Sequence, residues 1–296
     1  LAQLKTINNA TSGTLTLNDY TVALAGTSSD LAAALAGSFS SSYTGSVTIV
    51  GADYTVAQLK AINNATTGVI VLVDPSLNLT GTAEDLVSAF AGTITTHTGD
   101  ITITDTPTLA QLKTINNATS GTITLQDYSV ALTGSAADLA AALAGTFAST
   151  YTGNITITDA NATSIAATDI SNINASTTGT ITVSNNVDIN GTAAAVATAI
   201  GNVDTFSGSP TVTLSNAHTL AELKAINNAI SGTITLDNYS KLVVNVWGIE
   251  INDFNDLTRA VNEIDGTNMT PEEWGGSSGA LNGNGWIHYA VPYDHL

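Results

Sequence analysis

The sequence predicts an α/β fold: a repeat solenoid of short helix–strand coils whose strands form a parallel sheet. The first observation is internal repetition, because LAQLKTINNATSGTLTL at 1–17 returns in close copies at multiples of about 55 residues. The second is that a different helix-like segment lies between successive copies. The third is that both kinds of segment lead into Thr alternating with Ile, Leu or Val, the pattern of a half-buried strand.

The first recurring segment, which we call the A coil, predicts a helix followed by a strand. Its copies are 1–17, 56–72, 109–125 and 220–236, with a degenerate copy at 164–183. Leu1, Leu4 and Ile7 fall on one helical face, whereas Lys5 and Asn8 point elsewhere. Each copy therefore predicts an amphipathic helix with one buried face.

The intervening segment, which we call the B coil, predicts a second, alanine-rich helix. Its copies are 27–39, 82–94 and 135–147, and strand-like stretches follow at 46–50, 100–104 and 154–158. Each helix begins with an N-cap residue and an acidic residue three positions later: Thr27 with Asp30, Thr82 with Asp85, and Ser135 with Asp138.

Alternating A and B coils predict about nine helix–strand coils over residues 1–240. Helices that return each strand in the same direction give parallel strands, so the architecture resembles that of leucine-rich-repeat proteins. An all-β solenoid is the alternative, because alanine-rich helices of about ten residues are marginal on their own. A glycine precedes each strand, at Gly13, Gly45, Gly68, Gly99, Gly121, Gly153, Gly179, Gly208 and Gly232.

Residues 241–296 break the repeat and predict a divergent C-terminal cap or docking segment. All three tryptophans of the chain lie there, at Trp247, Trp274 and Trp286. Tryptophan faces stack on sugar rings, so these side chains are the candidate glycan-binding residues. Capping of the last open coil is the simpler interpretation.

Composition excludes several classes of function. Six basic residues against 24 acidic ones give a net charge of −18, which disfavours nucleic acid and anionic membranes as partners. The chain has no cysteine, so it has neither disulfides nor thiolate metal sites. No apolar run approaches the roughly 20 residues that span a bilayer. Only 10% of residues are charged, so Thr, Ser, Asn and Gly must cover the surface, as is common outside cells.

Aspartates recur at equivalent positions after the strands. Asp53, Asp105 and Asp159 follow one strand type, and Asp19, Asp74, Asp127 and Asp237 follow the other. If the coils stack in register, the first set lies about 10 Å apart and is a candidate Ca²⁺ site. Turn and cap chemistry is the competing interpretation, and we favour it.

Asparagine pairs end the A helices, at Asn8–Asn9, Asn63–Asn64, Asn116–Asn117 and Asn227–Asn228. We expect these amides to form hydrogen bonds with backbone groups of the neighbouring coil. Asn9, Asn64 and Asn117 also begin N-x-Thr sequons.

The sequence contains no residue set that predicts an enzyme. It has no GxSxG elbow, phosphate-binding loop or dinucleotide-binding motif. His97 and His218 are interpreted as solvated turn residues, and no histidine has the spacing of a metal ligand. Outward Thr-x-Thr pairs, such as Thr102 with Thr104 and Thr122 with Thr124, resemble the ice-binding face of β-solenoid antifreeze proteins.

The repeats TLAQLKTINNATSGTITL at 108–125 and GTAEDL at 81–86 resemble those of very large secreted surface proteins of marine bacteria and cyanobacteria. The resemblance covers residues 1–240 and implies secretion and a role in surface layers, fibres, motility or adhesion. It supports an extracellular structural module, extended by self-association or by repeats of a longer parent protein. The first helix lacks an N-cap, so we expect an open coil that stacks on another chain. A glycan-binding adhesin or phage fibre segment is the alternative, and ice binding is the third possibility.

Overall fold

The computed structural model describes residues 1–216 and 218–236, and the backbone alone of 244–246 and 249–251. Over these residues the protein is mixed α/β: short helices alternate with strands that pair mainly in parallel, and no sheet closes into a barrel. The α/β class is therefore confirmed, and the all-β alternative is wrong because nine helices form in the described chain. None of these helices is both long and apolar enough to cross a membrane.

The helices occur where the two kinds of repeat predict them. The A coils carry α1 Ala2–Ala10, α3 Val56–Ala65, α5 Leu109–Ala118, α7 Ala167–Ser176 and α9 Leu220–Ala229, and the B coils carry α2 Ser28–Leu35, α4 Ala83–Ala89, α6 Ala136–Leu143 and α8 Ala193–Gly201. Side-chain caps define where they begin. Thr27 accepts a hydrogen bond from the Asp30 N–H, as the sequence predicts, and Thr55 forms a capping box with Gln58.

The strands are short. They are β1 Leu24–Gly26, β2 Val47–Ile49, β3 Ile70–Leu72, β4 Leu79–Gly81, β5 Ile101–Ile103, β6 Ile123–Thr124, β7 Leu132–Gly134, β8 Ile155–Ile157, β9 Ser164–Ala166, β10 Ile181–Val183, β11 Asp188–Gly191, β12 Thr205–Phe206, β13 Thr211–Leu214, β14 Ile234–Leu236, β15 Val244–Val246 and β16 Ile249–Ile251.

The described residues form two compact units, one of residues 1–158 with 172–183 and one of residues 159–171 with the described residues from 184 onward. The first unit contains the parallel sheets β1-β2-β3, β4-β5-β6 and β7-β8-β10. The second contains the parallel sheet β14-β13-β11-β9 and the antiparallel pair β15–β16.

Strands that pair in a sheet are closer together in the chain than the helices of the same coils are. Leu24 lies opposite Val47, and Val47 lies opposite Ile70. The helices of the same coils are further apart in the chain, since α2 begins at Ser28 and α3 only at Val56. Residues at equivalent positions of successive coils therefore do not lie side by side in the sheets.

The core lies between the inner faces of the helices and the inward residues of the strands. Leu59 and Ile62 of α3 are fully buried, as are Val47 and Ile49 of β2, whereas Thr48 between them points outward. This alternation is the period of two expected for a strand with one buried face.

Most of the glycines before the strands lie close to backbone carbonyl groups of the preceding coil. A Cβ atom on Gly68 would lie 2.1 Å from the carbonyl oxygen of Gly45, and one on Gly121 would lie 2.0 Å from that of Gly99. Both distances are shorter than any tolerable contact with a rigid backbone atom. The recurrence of glycine therefore follows from packing of backbone on backbone between coils.

Candidate functional site

The most regular polar contact joins each of the first three A helices to the next B helix. The ammonium groups of Lys5, Lys60 and Lys113 pair with carboxylates 25 residues further along, those of Asp30, Asp85 and Asp138. The Nζ–Oδ1 distance is 2.5 Å for Lys5 and 2.6 Å for Lys60. The lysine hydrogen bond is the main cause that lowers the pKa of Asp85, and it raises the pKa of Lys60.

A second contact lies one helical turn further along the same helices. The side-chain amides of Asn8, Asn63 and Asn116 donate to backbone carbonyls 25 residues later, those of Ala33, Ser88 and Ala141, over 2.7 to 2.8 Å. The expectation that asparagines bond backbone groups between coils is confirmed for these three. The second asparagine of each pair (Asn9, Asn64 and Asn117) is exposed.

We call the ion pair and the asparagine bond together the helix lock. The three helix locks have the same spacing and the same partner types, although they join different coils. Sequence reasoning missed the ion pairs. The available signal was the constant separation in the chain between the lysine of an A helix and the aspartate of the next B helix.

Removing the buried amide of a helix lock should weaken the fold measurably. We expect Asn63→Ala to lower the free energy of unfolding by about 1 to 3 kcal/mol, because the Ser88 carbonyl loses its partner. Asn64→Ala is the matched control, since that side chain is exposed and should shift stability by less than about 0.5 kcal/mol. Urea unfolding followed by circular dichroism measures both, and equal midpoints for the two variants would contradict the helix lock.

One set of the recurrent aspartates stabilises turns through hydrogen bonds. The carboxylate of Asp19 accepts from the hydroxyl and the backbone N–H of Thr21, and Asp74 with Ser76 and Asp127 with Ser129 repeat this arrangement. The hydroxyl bond is the main cause that lowers the pKa of Asp19 below its usual 3.8. This contribution to stability is present above pH 3.8 and is lost as the pH falls through the lowered pKa. Asp237 lies outside the described residues.

The three candidate calcium ligands do not come together. Asp53 is exposed beside the start of α3, Asp105 accepts a hydrogen bond from the Ala83 N–H at the start of α4, and Asp159 lies near Asp169. Across residues 1–216 and 218–236, no three His, Cys, Asp or Glu side chains are grouped as metal ligands.

The register of the sheets does not place these aspartates side by side. Two lateral steps across the first sheet lead only from Leu24 to Ile70. The stretches of chain from Asp53 to Asp105 and from Asp105 to Asp159 are both longer than that. The sheet therefore places other residues beside each aspartate.

The position of Asp105 serves to cap a helix. Its carboxylate accepts from the Ala83 N–H over 2.8 Å, at the start of α4. The amide oxygen of Asn216 accepts in the same way from the Ala193 N–H over 2.9 Å, at the start of α8. Because a neutral amide replaces the carboxylate, this position needs an acceptor for a free helix N–H and does not need a charge.

The outward threonines form short rows instead of one continuous array. Thr102 lies between Thr80 and Thr124, and a second row joins Thr133, Thr156 and Thr182. In the first sheet the corresponding row consists of Ala25, Thr48 and Val71. The rows are therefore three strands wide, and apolar residues interrupt the pattern.

The interpretation of His97 as a solvated turn residue is wrong, because its side chain is completely buried. Its ring occupies the position that Tyr43 and Tyr151 hold in the neighbouring B coils. Tyr151 donates its hydroxyl to the Val130 carbonyl, and His97 donates Nε2–H to the equivalent carbonyl of Leu77 over 2.8 Å. The histidine thus replaces a core tyrosine and keeps its hydrogen bond.

A larger neighbouring side chain compensates for the small ring of His97. Phe90 lies 5.6 Å from the His97 ring centroid, where the other two B coils have Leu35 and Leu143. Nδ1 of His97 is buried without a hydrogen-bond partner in the described chain. Burial is the main cause that lowers the pKa of His97 below its usual 6.5, opposed by the bond to Leu77.

This histidine should make the first unit sensitive to acid. Since the pKa is lower in the folded protein, the unfolded chain binds the proton first, and stability declines as the pH falls below 6.5. The slope approaches about 1.4 kcal/mol per pH unit until the folded pKa is reached. We expect the double variant His97→Tyr with Phe90→Leu to lose this slope in urea unfolding at pH 7 and pH 5.

The reciprocal change provides the control. Tyr43→His with Leu35→Phe places the histidine arrangement in the first B coil and should add a similar acid-dependent loss of stability. An unchanged slope in both double variants would contradict the assignment of the acid response to this core position.

His218 is also buried, at 4% exposure, and its Nδ1 has no partner in the described chain. It directly precedes the N-cap Thr219, as the buried Tyr54 precedes Thr55. The prediction of a solvated turn is therefore wrong here too. The candidate glycan-binding residues Trp247, Trp274 and Trp286 lie outside the described residues.

The described part of the chain is a mixed α/β protein with internal sequence repeats. Its clusters of polar side chains join neighbouring coils. Comparison with known proteins finds no matching family model, no similar curated protein and no similar solved structure.

Proposed function

We propose that this chain is an extracellular structural module, built as a leucine-rich-repeat-like solenoid in which helix–strand coils stack within each unit. The observation that carries the proposal is the helix lock, which recurs three times with the same spacing and the same partner types. In each helix lock the lysine pairs with the aspartate of the next helix, and the asparagine amide bonds a backbone carbonyl of that helix. Contacts of this kind hold one coil against the next, and a solenoid extends by adding coils in this way.

The close backbone contacts support stacking as well. Glycines at equivalent positions meet carbonyl groups of the preceding coil at Gly45, Gly68, Gly99, Gly121, Gly153, Gly179 and Gly232. Because this contact recurs along the chain, it is a property of the repeat and does not mark one binding site. Each coil therefore carries the surface that receives its neighbour.

An in-phase deletion tests the solenoid. Removing residues 56–108 joins Thr55 to Leu109, which preserves the N-cap and the alternation of A and B coils. We expect a folded protein with cooperative unfolding and helical circular dichroism in proportion to its length. A chain that no longer folds would contradict the solenoid.

An out-of-phase deletion is the matched control. Removing residues 56–82 also leaves Thr55 before a helix, but it places a B helix directly after a B helix. The helix lock between α3 and α4 cannot form in this variant. We expect a clearly lower urea midpoint than for the in-phase deletion, although fewer residues are removed.

The extracellular part of the proposal is supported by surface chemistry. The chain has 10% charged residues and no cysteine, and exposed positions such as Thr21, Ser41 and Thr98 are uncharged and polar. Immunogold labelling of intact producing cells, with and without external protease, tests the location. Label confined to the cell interior would contradict secretion.

Ice adsorption is the second candidate, favoured by the two complete threonine rows across β4–β6 and across β7, β8 and β10. These rows present hydroxyl and methyl groups at the regular spacing of paired strands, ~4.8 Å. Thermal hysteresis that disappears in Thr102→Lys would support this candidate. Freezing without hysteresis or ice shaping would exclude it.

A further inference from the structure

A recess opens on the surface between the first B coil and the second A coil. Its volume is about 350 Å³, and it is bounded by Phe39 and Tyr43 on one side and by the end of α3 on the other. Helix α1 packs against α2, and α4 packs against α3, so the recess lies between inner coils of the first unit. Small-molecule sites begin at roughly 300 Å³, and a single sugar-sized ligand therefore fits.

The polar groups of the recess fall into two sets. Asn63 and Thr66 are used by the fold, since the amide donates to the Ser88 carbonyl and the hydroxyl donates to the Tyr43 carbonyl. Four further side chains are exposed and make no side-chain hydrogen bond to the described residues: Ser41, Ser42, Asn64 and Thr67. The recess therefore offers free hydroxyl and amide groups that can both donate and accept hydrogen bonds.

Phe39 adds an apolar surface to the same recess. Its side chain is only partly buried, and its ring has no aromatic partner among the described residues. In the third B coil the equivalent Phe147 lies 6.5 Å from the ring of Tyr151. The following A helix, α7, also has Ala175 where α3 has Asn64. The third B coil thus lacks both the free ring and the free amide.

The second B coil lacks the aromatic surface altogether. Ile94 stands there in place of Phe39. The loop from Ile94 to His97 is also one residue shorter than the loop from Phe39 to Tyr43. Of the first three B coils, the first alone combines a free aromatic face with a free amide.

The lining of the recess suits a neutral ligand. None of the described residues that line it is charged, and a chain with a net charge of −18 repels anions. A divalent cation would need carboxylate ligands, which the lining does not supply. An aromatic face beside hydroxyl and amide groups matches a sugar ring, whose C–H face stacks on the aromatic ring while its hydroxyls exchange hydrogen bonds.

We propose that this recess binds a sugar unit of a neutral glycan. The ring of Phe39 lies against the face of the sugar, and Ser42, Asn64 and Thr67 bond to its hydroxyl groups. This activity goes beyond the proposed structural role, because it would attach the module to a polysaccharide.

The full chain is tested by isothermal titration calorimetry with three neutral oligosaccharides: cellohexaose, maltohexaose and mannohexaose. We expect at least one of them to bind with a Kd of about 1 mM or tighter. Asn64→Ala and Phe39→Ile should each raise that Kd at least about fivefold, because one removes a hydrogen bond and the other the aromatic face. Their circular dichroism should match the wild type, since Asn64 is exposed and isoleucine occupies the equivalent position in the second B coil.

Asn117→Ala and Phe147→Ile are the matched controls, because they make the same changes at equivalent positions outside the recess. Both should bind as the wild type does. The inference is overturned if none of the three oligosaccharides binds at about 10 mM. It is also overturned if Asn64→Ala or Phe39→Ile leaves the Kd unchanged, or if the controls weaken binding as much. The proposed structural role fails on different results, those of the in-phase deletion and of the immunogold labelling.

Discussion

Replacing Ile62 with Ala should lower the free energy of unfolding by about 2 to 5 kcal/mol, the largest single-residue effect we expect. Ile62 is fully buried in α3, which packs against α2 on one side and α4 on the other. The truncation removes apolar atoms and leaves a cavity that rigid neighbouring coils fill poorly. Urea unfolding at low protein concentration, followed by circular dichroism, gives the change.

The repeat supplies a control for this prediction. Ile7 occupies the same position of the first A helix but is 53% exposed. Ile7→Ala should therefore change monomer stability by less than about 0.5 kcal/mol. Equal losses of unfolding free energy in Ile62→Ala and Ile7→Ala would contradict the difference in burial between the two positions.

Gly121→Ala should destabilise the fold by about 1 to 3 kcal/mol, although alanine adds only one methyl group. The new Cβ would lie 2.0 Å from the Gly99 oxygen and 2.5 Å from the Gly99 carbonyl carbon, both backbone atoms. Relief requires two coils to separate, so the cost cannot be absorbed by rotating a side chain. Thermal and urea unfolding both measure the effect.

Gly13 is the matched control for Gly121, since it precedes the equivalent strand segment of the first A coil. The nearest atom to a Cβ at Gly13 is the hydroxyl of Thr11, at 3.3 Å. Gly13→Ala should accordingly be close to neutral in the monomer. A large loss at Gly13 or none at Gly121 would contradict the close contact between coils.

Much of the local structure was predictable from sequence alone. The helix in each coil follows from apolar residues at helical spacing, and its start from the hydroxyl side chain that caps it, as at Thr27. The strands follow from alternation of threonine with branched apolar residues, as in Val47–Ile49. These signals are local, so one short segment contains all the information they need.

The candidate sites were less predictable, because they depend on which residues lie side by side. The calcium prediction assumed that Asp53, Asp105 and Asp159 stack in register, and the sheets do not have that register. The histidine prediction took His97 for a turn residue on the basis of its Thr and Gly neighbours. Comparison with Tyr43 and Tyr151 at the same repeat position would have indicated a buried ring.

Sequence by itself predicted the α/β class and determined the alternation of two repeat types, the caps and the positions of the glycines. Only the tertiary structure decided the lateral register of the sheets, the helix locks, the burial of His97 and the recess beside Phe39. The physical reason is that propensity and capping act within a few residues. Register, burial and exposure arise instead from packing between coils that are distant in sequence.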